Sequence, residues 1–376
     1  MDSPPTTRKP RIAVVFGGRS SEHAISCVTA GSVLSAIDTN RYDVVPVGIA
    51  NDGRWVLESA DPERLAIGAG GTLPEVDASR SPVALSNDAE SSELVVHESS
   101  SVPRTLGEVD VVFPLLHGPW GEDGTIQGLL EMAGVRYVGA GVLASAVGMD
   151  KQYMKLVLQG HGLPVLPYVV LGARAWHDDP SACTESVDAL GYPVFVKPCR
   201  GGSSFGISKV HDASELAEAV EAAQQHDPKV LVEAAAQDAR EVECGVLDGF
   251  EGEAPLASVV AEIRVDPAHE FYDFAAKYLP EEHTRLDVPA DLPDEVADRV
   301  RELAVDAFRA LSCEGLARVD FFVLPDERVV VNEVNTMPGF TPSSVFPRMW
   351  AASGLDYPAL VDRLIQLALQ RATGLR

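Results

Sequence analysis

Between Arg318 and Gly339 the chain reads Arg-Val-Asp320-Phe-Phe-Val-Leu-Pro-Asp-Glu-Arg-Val-Val-Val-Asn332-Glu333-Val-Asn335-Thr-Met-Pro-Gly. Two β-branched and aromatic runs flank Leu324 to Arg328, which predicts a hairpin with a loop of about four residues. Pairing Leu324 with Val329 sets Asp320 opposite Glu333 and Arg318 opposite Asn335 in the register that follows. Side chains alternate with period two, so all four share one face. Like charges directly opposite are destabilising, and a carboxylate pair backed by Phe321, Val323 and Val330 is costly unless a cation sits between them. Two carboxylates and an amide oxygen are hard ligands that suit magnesium bridging to phosphate. The competing reading is an amphipathic hairpin with a wet polar face, and the rest of the chain has to decide.

At 376 residues the chain is long enough for two or three domains with their own cores. Its 30 basic and 56 acidic residues give a net charge of −26, which opposes binding of nucleic acid or an anionic membrane. A local basic cluster remains free to hold a small polyphosphate. No 18-residue apolar run occurs and Met1 to Arg11 lacks an apolar core segment, so neither a membrane span nor a signal peptide is expected, and the cytoplasm is the expected location. Five scattered cysteines without C-x-x-C spacing predict buried thiols in place of disulfides or a zinc site.

Arg11 to Gly17 predicts a buried strand running into a glycine turn, followed by helix over 21–37 and a second strand over 42–49, a βαβ opening of an α/β domain. The text from Ser59 to Glu108 is small and polar and reads as a surface insertion with one strand at 93–96. Asp110 to Leu116 resumes as a buried strand and delivers His117-Gly-Pro-Trp-Gly-Glu122-Asp-Gly to its C-terminal end, the edge where ligands bind in an open parallel sheet. A second composition follows, with helix 150–159, strands 168–171 and 193–197, and the loop Lys197-Pro-Cys-Arg-Gly-Gly-Ser203-Ser204-Phe-Gly206. Helix 213–225, strands 230–233, 241–246 and 256–263, and helix 294–311 precede the hairpin.

Several stations carry two readings. The 201–206 loop is either a flexible hairpin tip or a phosphate grip, in which small residues let backbone N–H groups approach phosphate and Lys197 reaches it from the preceding strand. It is not a Walker A loop, and Phe16-Gly-Gly-Arg-Ser-Ser-Glu22 lacks G-x-G-x-x-G. Glu22 either answers the dipole of the following helix or faces the crevice to hold a substrate ammonium. His117 lies at a ligand edge, whereas Glu122 and Asp123 serve equally well as caps of the helix beginning near Thr125. The aromatic stretch Phe271 to Leu279, within 264–287, reads as a lid carrying Lys277 toward phosphate and Tyr278 toward substrate.

Together these stations resemble the D-alanine–D-alanine ligases of the ATP-grasp superfamily. The matching stretches are Phe16-Gly-Gly-x-Ser-x-Glu22, His117-Gly-x-x-Gly-Glu-Asp-Gly, Gly148-Met-Asp-Lys151, Lys197-Pro-x-x-x-Gly-Ser203-Ser204-x-Gly, Tyr272-Asp-x-x-x-Lys277-Tyr278, and Arg318-x-Asp320 with Asn332-Glu333-x-Asn335-Thr-x-Pro-Gly339. Six in this order are highly specific, and the 59–108 segment is the main departure. The resemblance implies an α/β fold of three parts: an N-terminal domain over 1–139, a central ATP-grasp domain over 140–232 and a C-terminal one over 233–376, the last two clamping ATP. It implies that Lys151 and Lys197 bind ATP phosphates beside Ser204, with Glu233 near the hinge, Glu241 toward the ribose and Lys277 on the γ-phosphate. Asp320, Glu333 and Asn335 would hold two magnesium ions, with manganese able to substitute.

The first D-alanine would be held by Glu22, His117 and Ser203, and the second by Ser344, with Val345 in the same pocket. Arg318 and the Gly339 backbone N–H would face the oxyanion. The implied reaction joins two D-alanines through a D-alanyl phosphate for peptidoglycan precursors, in a homodimer. The rival reading is a D-alanine–D-lactate or D-alanine–D-serine ligase, against which Tyr278 argues because depsipeptide-forming relatives usually differ there. A catalytically silent nucleotide sensor is disfavoured by the complete set Arg318, Asp320, Glu333 and Asn335.

Overall fold

The computed structural model describes residues 8–68, 71–85, 93–96, 104–202, 206–265 and 284–373. Strand β1 (Arg11–Gly17) is apolar from Ile12 to Phe16 and buried throughout that run, so it lies inside a sheet. It pairs in parallel with β2 (Asp43–Ile49) and with β7 (Val111–Pro114), helix α1 (His23–Ala36) crossing between the first two. β3 (Trp55–Leu57) extends one edge and β8 (Arg136–Tyr137) the other, giving the order β3-β2-β1-β7-β8. Gly17 ends β1 with φ +88°, and a Cβ there would stand 2.4 Å from the Ile49 carbonyl, so only glycine makes this turn. Ser26 on α1 then ties the two central strands together, accepting from Gly17 N at 2.7 Å and donating to Leu115 O.

The 59–108 segment departs from the expected surface insertion with one strand. It forms a three-stranded antiparallel sheet, β4 (Val83–Leu85), β5 (Glu93–Val96) and β6 (Arg104–Glu108). Leu65, Val76, Val83, Leu94 and Val96 are buried against the two cores that flank the parallel sheet. His23 Nε2 accepts from Val76 N at 3.1 Å, so α1 itself anchors the segment. The apolar positions are isolated and the strands three to five residues long, which hides their alternation among small polar residues.

Helices α2 (Thr125–Met132), α3 (Val142–Met149) and α4 (Lys151–Gly160) lead into a four-stranded antiparallel sheet. Its order is β11 (Ser208–Val210), β10 (Val194–Pro198), β12 (Lys229–Ala234), β9 (Tyr168–Gly172). A second antiparallel sheet has the order β15 (Thr284–Asp287), β14 (Leu256–Val265), β13 (Arg240–Leu247), β16 (Leu316–Val323), β17 (Val329–Asn335). Helix Asp294–Ala310 covers it with Val300, Leu303, Ala307 and Phe308. The two closing helices, Val345–Ala352 and Tyr357–Gln370, return to the beginning of the chain, and Phe346, Leu360, Leu364 and Ile365 share one core with Ile12, Phe16 and Phe113. All five cysteines are buried and free, as their scatter predicts.

Candidate active site

The hairpin β16–β17 pairs Asp320 with Glu333 and Arg318 with Asn335, the pairs expected from the sequence. Its turn differs: Val323, not Leu324, pairs with Val329, and the registers are reconciled by a bulge in which Asn332 has no partner between Phe321↔Val331 and Asp320↔Glu333. The turn is tighter than expected because Glu327 takes φ +65° and Leu324 exchanges hydrogen bonds with Glu327 and Arg328.

The Arg318 guanidinium grips Asp320 with Nε and Nη2, both at 2.7 Å, and Asn335 Nδ2 donates to Asp320 Oδ2 at 3.0 Å. Glu243 on β13, directly across from Asp320, brings a carboxylate oxygen to 3.0 Å from Arg318 Nε. Burial works against the guanidinium, but Asp320 and Glu243 hold its pKa well above the ordinary arginine value. Glu333 lies 3.6 Å from Lys151 Nζ, which also donates to Gly201 O at 2.9 Å at the start of the glycine loop.

Lys197 on β10 and Glu233 on β12 face this hairpin from the central sheet, 2.7 Å apart. A second lysine, Lys155 on α4, meets the other Glu233 oxygen at 2.5 Å. Burial would raise the Glu233 carboxyl, but the two ammonium groups hold it below the usual range. Burial likewise opposes the Lys197 charge, and Glu233 overrides it, leaving that lysine above its ordinary value. A cavity of about 440 Å³ runs between the sheets, lined by Lys151, Lys197, Glu233, Glu241, Asp320 and Glu333. A smaller one of about 90 Å³ shares Lys151 and Glu333 with it and reaches Gly202, Asn335 and Glu122.

At the edge of the parallel sheet Glu22 is buried and makes no capping bond to its helix. Its carboxylate points at Gly118, where a Cβ would meet it at 2.6 Å, and toward Gly202. It thus turns into the crevice and does not answer the helix. Gly124 is the N-cap of α2, and Asp123 just before it accepts from Thr125 N at 3.0 Å. Glu122 instead accepts from Gly118 N at 2.6 Å, and burial followed by the neighbouring Glu22 pushes its carboxyl up to about 8. His117 sits beside them with Nδ1 3.3 Å from Met337 O and Nε2 buried without a partner among the described residues. Burial lowers its pKa, so it is neutral near pH 7. Ser344 packs against Gly339, its Oγ accepting from Thr341 N at 3.1 Å, and Val345 follows as the first residue of its helix.

Ser203, Ser204, Lys277 and Tyr278 lie outside the described residues. Three groups were missed by the sequence reading: Lys155, one helical turn from Lys151; Glu243, two residues from Glu241 on the same strand face; and Glu122 as more than a cap. The first two were legible by periodicity alone. Among the described residues no three His, Cys, Asp or Glu side chains form a metal cage. The protein offers two carboxylates and the Asn335 amide, a partial shell that fits an ion completed by phosphate oxygens and water. No helix among the described residues is long and apolar enough to cross a membrane.

A family model described as the D-ala D-ala ligase N-terminus matches residues 11–140, and one described as its C-terminus matches 157–366. A D-alanine–D-alanine ligase of Arthrobacter sp. (strain FB24) is 58% identical over 373 residues, spanning 99% of this chain and 97% of the relative. The solved VanG D-Ala:D-Ser ligase from Enterococcus faecalis superposes with a TM-score of 0.83 at 36% identity over 96% of this chain and 100% of its own. The D-alanine–D-alanine ligase from Coxiella burnetii gives 0.79 at 34% identity over 97% and 95%. These structural neighbours, with the mixed α/β sheets, bear out the expected ATP-grasp fold. The chain belongs to the D-alanine–D-alanine ligase family.

Proposed function

We propose that the cleft joins two D-alanines into D-alanyl-D-alanine, with ATP cleaved to ADP and phosphate, and that it does so in the cytoplasm as a homodimer of three-domain chains divided near residues 140 and 233. The observation that carries this reading is the convergence on one cavity of Lys197 and Glu233 from the central sheet with Glu241, Asp320 and Glu333 from the C-terminal sheet. Lys151 and Lys197 orient the ATP phosphates, and Glu241 takes the ribose. Asp320, Glu333 and Asn335 are the residues that would hold two magnesium ions, which supply charge neutralisation to the transferring phosphoryl group.

Glu22 binds the ammonium of the first D-alanine, and neutral His117 offers Nε2 to the same substrate. The carboxylate oxygen of this D-alanine forms a bond to the γ-phosphorus as the bond to ADP breaks, giving a D-alanyl phosphate. The second D-alanine, its carboxylate on Ser344, gives up one ammonium proton to water and attacks the acyl carbon as the neutral amine, and the same nitrogen sheds a second proton to water as the amide forms. Arg318 and the Gly339 N–H stabilise the oxyanion until phosphate leaves. Gripped by Glu243 as well as Asp320, Arg318 is held in place without depending on one partner.

The test is phosphate release from ATP with D-alanine, L-alanine, D-serine or D-lactate, with the product identified by mass. Release that requires D-alanine and magnesium and yields the dipeptide is expected. Equal release with no amino acid would replace the ligase with an ATPase, and a D-lactate or D-serine product would move the chain to the corresponding branch.

A further inference from the structure

Lys155 has no part in the reaction as set out above, yet its ammonium is among the most enclosed charges in the molecule. The residue is fully buried, and Nζ lies 2.5 Å from Glu233 Oε1 and 3.3 Å from the carbonyl of Asn332. Neutralising Glu233 does not require it, because Lys197 already forms a pair with that carboxylate at 2.7 Å. A second buried ammonium is costly unless it has further work, since desolvation disfavours the charged form.

The second partner indicates what that work is. Asn332 is the extra residue of the β17 bulge, and Lys155 holds its carbonyl from outside the hairpin just beyond Val331, whose N–H donates to Pro164 O at 2.8 Å. The same turn of α4 also holds the strand just beyond the bulge, because Val334 N donates to Met154 Sδ at 3.3 Å. The bulge lies between the regular part of the hairpin and the pairs Asp320↔Glu333 and Arg318↔Asn335. One ammonium therefore touches both a carboxylate lining the cavity and the backbone that places Glu333 and Asn335.

We propose that Lys155 is a positioning residue that couples the nucleotide end of the cleft to the metal-ligating hairpin: a ligand against Glu233 and Lys197 stiffens the Lys155 contacts, and these fix the bulge so that Asp320, Glu333 and Asn335 bind a divalent cation more tightly. This rests on the reading of the cavity as the ATP site. Coupling free energies are reciprocal, so the cation strengthens binding at the nucleotide end by the same factor.

Adenosine separates this coupling from the ordinary sharing of a metal by phosphate, because it fills the base and ribose end and has no phosphate. Manganese binding to the whole chain is measured by electron paramagnetic resonance with and without saturating adenosine. The parent should bind manganese at least about threefold more tightly with adenosine present, a coupling near the lower end of the usual range. Lys155→Met, which keeps the length of the side chain and leaves Lys197–Glu233 as a neutral pair, should abolish that factor while retaining a cooperative melt. Lys155→Gln carries the same expectation should the methionine variant fail to fold.

A measurement on the parent alone guards against loss of both variants. Adenosine without metal should slow hydrogen exchange at the Val331 and Val334 amides. No adenosine effect on manganese affinity or on these amides in a parent that binds ADP and manganese would overturn the coupling and leave the ligase reading standing. An equal factor in folded Lys155→Met would do the same. A parent that binds neither ADP nor manganese would overturn both.

Discussion

In the proposed reaction Arg318 does two things with one guanidinium, facing the oxyanion and holding Asp320, and Asp320 would leave that grip in part to meet a metal. Glu243 provides for that exchange, because its carboxylate is a second acidic partner 3.0 Å from Arg318 Nε beside Asp320. Glu243→Gln should therefore raise the magnesium concentration for half-maximal activity by about tenfold or more, the scale seen when groups supporting metal ligands are removed. Magnesium titrations of parent and variant decide it, and superimposable curves would reduce Glu243 to a bystander. A second prediction concerns Glu122, whose folded pKa lies above its ordinary value of 4.5, at about 8, because of burial and Glu22. The folded state thus binds this proton more tightly than the unfolded chain, so the stabilisation is complete below about pH 4.5 and drains away as pH rises through 8. His117 acts oppositely: its folded pKa is below 6.5, so its contribution is present above 6.5 and is lost on acidification. Between pH 6.5 and 8.5 the difference between Glu122→Gln and the parent isolates the Glu122 proton, because His117 and the buried thiols titrate alike in both. Glu122→Gln should melt progressively higher relative to the parent across that interval, and melting curves that stay parallel would refute the raised Glu122 carboxyl.

Among the elements, the legible ones are those whose periodicity is long and unbroken. Helix Asp294–Ala310 carries its buried residues at helical spacing, and β1 is a continuous apolar run, so both are found within a residue or two of their expected ends. The pairing of Asp320 with Glu333 was legible because alternation on both strands fixes which side chains share a face. The bulge was not, since an extra residue is invisible to a period of two until a partner such as Lys155 is placed against it. Helices 345–352 and α3 went unread for lack of strong flanking signals, whereas helix 357–370, also unread, was legible from its Asp356 cap, the proline that follows and the helical spacing of Leu360, Leu364 and Ala368. The 59–108 segment failed differently, because its burial comes from contacts distant in sequence. Leu94 is only 2% exposed, so Leu94→Ala should cost about 2–5 kcal/mol, as for other buried leucines. Urea unfolding measures this, and a loss under about 0.5 kcal/mol, the scale of a surface change, would restore the insertion to a decoration.

At the scale of the molecule the cores do not follow chain order. One cluster joins Ile12, Phe16 and Phe113 to Leu316, Phe340, Leu364 and Ile365, so the beginning and end of the chain share a single interior. Tyr42 reinforces it, its hydroxyl donating to Asp362 at 2.6 Å while accepting from Gln366 at 2.6 Å. The interior of the central sheet is separate, drawn only from residues between Val169 and Val232. Cooperative units follow contiguous cores and not sequence neighbourhood, so these two interiors should open independently. Such independence suits the proposed clamping of ATP, for which one sheet would move against the other while the platform beneath stays intact. Native-state hydrogen exchange tests it through Leu364→Ala, which removes packing from the shared interior. Amides of β1 and of helix Tyr357–Gln370 should lose protection by the same amount, about 2–5 kcal/mol, although they lie more than 300 residues apart in sequence. Amides of β10 and β12 should be unchanged. Equal loss in all four elements would mean that the chain unfolds as one unit, and the clamp would then have to close by bending within its sheets.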